Sequence, residues 1–160
     1  MLNLRRTFWK ENLYSCSFRW GSDVPLFTNI LALFNPIGSG KDLNVLQVDM
    51  GASASGSIST ISNVSLFSDI SGGATDLTGN IIKYNPNNPN SIAKVYAGGS
   101  LTVEGIINRR TTNFSNGMPP YSVDFKQEFV LKPGNGLFVG HEAETAGNVY
   151  LPWVSFSWWE

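Results

Sequence analysis

Gly38-Ser39-Gly40-Lys41 is the stretch of this chain nearest in type to a phosphate-binding loop, in which backbone amides of a Gly-rich turn and a following lysine cradle phosphate oxygens. The spacing defeats that chemistry. The first glycine of the motif would stand at position 35, which is Asn35, and Asp42 follows the lysine where a Ser or Thr would hold magnesium. The stretch is read as a turn between strands. His141 is the one histidine, with Glu142 and Glu144 just after it, so imidazole and carboxylate are close in the sequence. A hydrolytic triad also needs a positioned nucleophile, and no Gly-x-Ser-x-Gly elbow occurs. His141 is expected in a loop on a solvated face. A zinc site needs three or four Cys or His ligands, and Cys16 and His141 are one of each. Asp49, Asp69, Asp76, Glu104 and Glu128 stand in no pattern that marks a glycosidase pair, and no Asp-x-Asp-x-Asp-Gly loop supports calcium. The expectation is a non-enzymatic chain with no cofactor and no metal.

With chemistry so thinly represented, the elements around these residues carry most of the information. Gly, Ser and Asn make up 50 of the 160 residues, and charged residues only 14%. Ser and Asn draw backbone hydrogen bonds away from a helix, and Gly loses the most entropy on ordering, so an all-β chain is expected. The 42% hydrophobic content offsets the ordering entropy and excludes global disorder, while a net charge of -1 argues against a nucleic-acid binder. A single cysteine allows no intrachain disulfide, and no apolar run approaches the roughly 20 residues of a membrane span. The N-terminus lacks an apolar signal region, which together with the lone thiol predicts intracellular assembly and no membrane partner.

Strands are expected from Pro25 to Phe34 and from Lys41 to Met50. In the latter, Leu43 and Val45 are followed by Leu46 and Val48, so the apolar parity changes halfway, as at a bulge or between two packing layers. From Gly51 to Asn80 the serines favour strands over the helix hinted at by Ile58, Ile61, Val64 and Phe67. Tyr84 to Asn90 is a long turn, and Gly98-Gly99 is read as a tight hairpin between strands at Ile92 to Ala97 and Leu101 to Asn108. Val123, Phe125, Phe129 and Leu131 alternate with Asp124, Lys126 and Glu128, and the chain closes on Val154, Phe156 and Trp158 alternating with serines. About eight strands result, the pattern of an antiparallel β-sandwich of jelly-roll type. Residues 25–160 form its single domain, and residues 1–24 an N-terminal arm or edge segment.

That first segment interleaves Arg5, Arg6, Lys10 and Arg19 with Phe8, Trp9, Tyr14, Phe18 and Trp20. Aromatic anchors beside guanidinium groups are the composition of protein interfaces. Arg5, Arg6, Phe8, Trp9, Arg19 and Trp20, with Trp158 and Trp159 at the other terminus, are the candidate contact residues for a partner or a neighbouring subunit. Trp153 is assigned to the core.

Leu31 to Val45, with an Asn-Pro-x-Gly-Ser-Gly turn between two apolar strands, resembles a pattern in small structural proteins of tailed bacteriophages. Phe129 to Val139, with Pro133-Gly134-Asn135-Gly136 between strands, is similar to the late turn of viral jelly rolls. The resemblance covers about 26 residues and implies a virion protein assembled in the host cytoplasm. A head decoration or cement protein bound to the major capsid protein or other virion proteins is the expected role. A tail or fibre domain that binds host glycans is the alternative, with Tyr84, Tyr121 and Trp153 as stacking candidates. A closed homo-oligomer, a trimer, is expected.

Overall fold

Val154, Phe156 and Trp158 alternate with Ser155, Ser157 and Trp159, and the computed structural model buries the first set completely while leaving the second half-exposed. The same period-2 division runs through the molecule. The structure describes residues 12–19, 28–54, 58–71, 73–98, 100–114, 121–143 and 150–160. In chain order the strands are β1 (Leu13–Arg19), β2 (Thr28–Phe34), β3 (Leu43–Ala54), β4 (Ile58–Ser71), β5 (Thr75–Asp76), β6 (Ile82–Lys83), β7 (Lys94–Ala97), β8 (Ser100–Phe114), β9 (Tyr121–Leu131), β10 (Gly136–Ala143) and β11 (Tyr150–Trp159). A single 3-10 turn at Thr78–Asn80 lies between β5 and β6, and no α-helix occurs among the described residues.

The strands form two antiparallel sheets, ordered β6-β1-β11-β3-β9 and β5-β7-β2-β10-β4-β8. The eight long strands pair from the outside inward: β1 with β11, β2 with β10, β3 with β9 and β4 with β8. A long ribbon paired in this way and wrapped into two sheets is a jelly roll. The expected fold class is the observed one, with three short strands added to the eight.

Between the sheets lies one apolar layer. Tyr14 and Cys16 of β1, Leu31 and Leu33 of β2, and Val154, Phe156 and Trp158 of β11 are all buried in it. The parity change in β3 is a bulge. Leu43, Val45, Val48 and Met50 all face this core, and the register slips past Leu46 against both neighbours, between Ser157 and Trp158 of β11 and between Val45 and Gln47 opposite β9. One extra residue restores the inward face for the second half of the strand.

The segment between β4 and β8 departs from the sequence expectation. Gly98-Gly99 does not close a hairpin, because β7 pairs with β2 and β5 while β8 pairs with β4. In a flat sheet β7 and β8 would be four strand spacings apart, about 19 Å. Three residue steps from Ala97 to Ser100 span at most about 11 Å. The sheet therefore curls, and β4 carries the bend, with register shifts at Val64/Ser65, Leu66/Phe67 and Phe67/Asp69. Past Phe67, β4 runs beyond the end of β10 and stays paired with β8, while Phe67 itself stands on the outer face in one row with Gly136 and Phe34. Phe67 and Ile70 pack there on Ala32, Phe34, Tyr96 and Phe138 in a second, smaller core. His141 is also displaced from expectation, since it belongs to β10, opposite Thr28 and Ser62, and not to a loop.

The Gly38-Ser39-Gly40-Lys41 turn adopts positive φ at Gly38 (80°) and Gly40 (71°). Its organiser is the buried Asn35. Asn35 Nδ2 donates to Lys41 O (2.9 Å) and Leu131 O (2.8 Å), and Asn35 Oδ1 accepts from Ser39 Oγ (2.7 Å). The Asn35 backbone bonds Gly134 N and Asn135 O, so the two Gly-rich turns are joined through one residue.

Candidate docking face

Because Tyr14, Val45, Trp158 and Leu131 point inward, their chain neighbours point outward from the five-stranded sheet. Pairing aligns those neighbours into rows across the strands. One row runs Leu13, Trp159, Asn44, Val130 from β1 through β11 and β3 to β9. Tyr84, whose N–H donates to Leu13 O (3.1 Å), extends it beyond β1. The next row is Ile82, Ser15, Ser157, Gln47, Asp124, followed by Ser17, Ser155, Asp49, Ser122, and finally Arg19, Trp153, Gly51.

The first row and its flank are unusually apolar for a solvated surface. Among the described residues the exposed large hydrophobics are Ile37 (85% exposed), Ile82 (60%), Tyr84 (59%) and Val130 (38%). Three of these four lie on this face, and the fourth, Ile37, is in the β2–β3 turn, with its Cγ1 3.4 Å from where a Cβ on Gly134 would be. The result is a mostly apolar band about 19 Å wide, given roughly 4.8 Å between strands, with Asn44 as its polar member between Trp159 and Val130 and Ile82 joining it from the next row. The serine, Gln47 and Asp49 rows border it. Asp49 Oδ1 accepts from Gln47 Nε2 (2.6 Å) and from Ser122 Oγ, which holds this polar border in one arrangement. An apolar centre with a bonded polar rim is the composition of a protein-protein contact. The outer face of the opposite sheet carries an apolar cluster of its own, in which Phe67 and Ile70 pack with Ala32, Phe34, Tyr96 and Phe138.

The rim at one end is anchored to the chain's last residue. The Glu160 carboxylate accepts from Ile92 N (3.1 Å), Trp158 Nε1 (3.3 Å) and Ser91 Oγ, and its backbone N–H donates to Asn12 O. Tyr14 Oη donates to Pro89 O (2.9 Å), and burial, with the Glu160 charge as a smaller cause, raises its pKa. The Tyr84–Asn90 turn is thus fixed against β1 and β11.

The expected contact residues divide in three ways. Arg5, Arg6, Phe8, Trp9 and Trp20 lie outside the described residues. Trp158 is corrected to the core: it is fully buried and stacks on Tyr14 with ring centroids 6.0 Å apart. Trp159 sits in the apolar band, whereas Arg19 is exposed in the last row, six register positions or about 20 Å away. Trp153, assigned to the core from sequence, lies instead on the outer face, half-buried over Gly51. Ile37, Ile82 and Val130 were not singled out by sequence, and the short alternation Ile82-Lys83-Tyr84 is the signal that could have found two members of the band. The Tyr121 side chain lies outside the described ones.

Cys16 faces the core, where burial pushes its thiol up to about 11 and keeps it protonated. Among the described residues no three His, Cys, Asp or Glu side chains gather as metal ligands would. Comparison with known protein families, with curated proteins and with solved structures found no match.

Proposed function

We propose that this protein is a non-enzymatic structural subunit of a virion, of the head-decoration or cement type, that seats the outer face of its β6-β1-β11-β3-β9 sheet on a neighbouring virion protein. The observation that carries the reading is the band of Tyr84, Ile82, Leu13, Trp159 and Val130 on one sheet face of a jelly roll, which holds three of the four exposed large hydrophobics among the described residues. Large amphipathic aromatics such as Tyr84 and Trp159 supply contact area at low entropic cost. Self-association into a closed trimer belongs to this proposal.

The test is twofold. Quantitative mass spectrometry of purified virions of the source should find hundreds of copies per particle, and the variant Ile82→Ser with Tyr84→Ser should bind those particles at least about tenfold more weakly while melting at an unchanged temperature. Absence from the particle, or undiminished binding by the variant, overturns the reading. One observation favours a second reading, a tail or fibre domain that binds host glycans: Tyr84 offers an exposed ring as a stacking platform. A few to a few tens of copies per particle would move the proposal there.

A further inference from the structure

Gly51 and Trp153 make a second kind of surface on the five-stranded sheet, apart from the apolar band. A Cβ on Gly51 would stand 2.7, 2.8 and 2.9 Å from Trp153 Nε1, Cε2 and Cζ2. Three adjoining ring atoms at nearly one distance mean that a face of the indole, and not its edge, is turned to the β3 backbone. The other face points away from the sheet, and the residue stays half-exposed. An aromatic ring laid flat with one side open is a stacking platform.

The row next to this ring, about 7 Å along the strands, is Ser17, Ser155, Asp49 and Ser122, with no apolar side chain from β1 to β9. The carboxylate in it is held in place. Asp49 Oδ1 accepts from Gln47 Nε2 (2.6 Å) and from Ser122 Oγ, while nothing among the described residues donates to the second carboxylate oxygen. The hydroxyls of Ser17 and Ser155 also bond to no other described side chain. A fixed acceptor and two uncommitted hydroxyls therefore stand beside the open ring face.

From this juxtaposition we infer that the Trp153 end of the sheet binds a neutral saccharide, with the C–H face of the sugar stacked on the indole and its hydroxyl edge bonded by Asp49, Ser155 and Ser17. Sugar hydroxyls donate and accept at once, which matches a carboxylate oxygen that only accepts beside serines that do both. Charge selects against an anionic ligand, because the acidic Asp49 and Asp124 lie in the two rows beyond the ring, and Arg19 stands two strands away from Asp49. A protein partner fits this row poorly, since Ser and Asp are depleted in protein contacts. Trp153 and Trp159 are six residues apart on β11, about 20 Å, so the site goes beyond the docking reading and does not rest on it.

The inference is tested on the full chain by NMR, following the Trp153 indole N–H and the backbone amides while methyl glucoside, methyl galactoside, N-acetylglucosamine and glucuronate are added separately. At least one neutral sugar should shift the Trp153 indole together with the Ser17, Asp49 and Ser155 amides, and glucuronate should bind more weakly than that sugar. Trp153→Ala and Asp49→Asn should each weaken binding about tenfold. Gly51→Ala, which lifts the ring off the sheet, should weaken it as well in a protein that still folds. No shift with any neutral sugar, tighter binding of glucuronate than of every neutral sugar, or unchanged affinity in Trp153→Ala overturns the inference. Shifts centred on Ile82 and Tyr84 also overturn it, since they place the glycan on the apolar band. No virion enters the measurement, so its failure leaves the docking reading to its own test.

Discussion

The indole of Trp153 lies where a side chain on Gly51 would stand: a Cβ at Gly51 would be 2.7 Å from Trp153 Nε1 and 2.8 Å from Cε2. These residues are direct cross-strand partners on β11 and β3, so the absence of a side chain on one strand lets the ring of the other lie down on the sheet. Gly51→Ala should lift the indole into solvent. The expected result is a red-shifted tryptophan emission component with a stability loss of only about 1 kcal/mol, because a half-exposed ring can swing away. An emission spectrum identical to the parent's, in a Trp153→Phe-subtracted comparison, would contradict this packing.

Gly136 poses the same constraint where no escape exists. A Cβ there would meet Phe67 Cε1 and Cζ at 2.2 Å, and Phe67 is held in the second core between Phe34 (ring centroids 5.7 Å) and Phe138 (6.3 Å). Gly136→Ala is expected to cost about 3 kcal/mol, the upper part of the range for overpacking. Chemical denaturation measures it, and a larger loss than for Gly51→Ala is the discriminating result.

Asn35 ties both turns at one end of the sandwich. Asn35→Ala removes the Nδ2 bonds to Leu131 O and to Lys41 O, leaving Lys41 O with only the 3.2 Å bond from Ser39 Oγ, and should cost about 2–3 kcal/mol. Ser39→Ala removes a bond at the exposed side of the same cluster and should cost no more than about 1 kcal/mol. The readout is the denaturation midpoint, with the slope against denaturant unchanged.

Asp76 caps the 3-10 turn. Its carboxylate is held below the usual range by hydrogen bonds from the Thr78 side chain and backbone N–H (2.8 Å), with Lys94 adding a weaker attraction. A carboxyl whose pKa is lower in the folded state stabilises the fold above its ordinary value, near 4, and that stabilisation fades as pH falls through the lowered one. Asp76→Asn should therefore melt below the parent at pH 7, and the two melting curves should converge as the pH is taken below about 4. A difference that persists unchanged in acid would assign the effect to shape instead of charge.

Much of the sandwich was legible because alternation in Val123–Leu131 and Val154–Trp158 states which side is buried, and parity loss at Leu46 marked a bulge. The path of β4 was not legible. Val64, Phe67 and Ile70 recur every three residues, which reads as readily as a helical face, and only once the segment is taken as a strand does the odd spacing put Val64 inside and Phe67 outside. The apolar band escaped for a related reason: Tyr84, Ile82, Trp159 and Val130 come from distant parts of the chain, and only strand register places them in adjoining rows. Trp158 and Trp159 show how little separates the two outcomes, since one step along β11 exchanges core for surface.

The segment that joins β4 to β8 also covers part of the sheet edges on one flank of the molecule. By adding β6 outside β1, and β5 and β7 outside β2, it occupies the edges of both sheets on the same side, leaving β9 and β8 as the terminal strands on the other. Edge-to-edge addition needs a receptive strand at both flanks of every subunit to propagate. β6 covers Tyr14 and Ser15 of β1 and β7 covers Leu31–Phe34 of β2, so the edge left on this flank for strand addition is shortened, which steers copies of this chain brought together at high density away from fibres and toward contacts made through their faces.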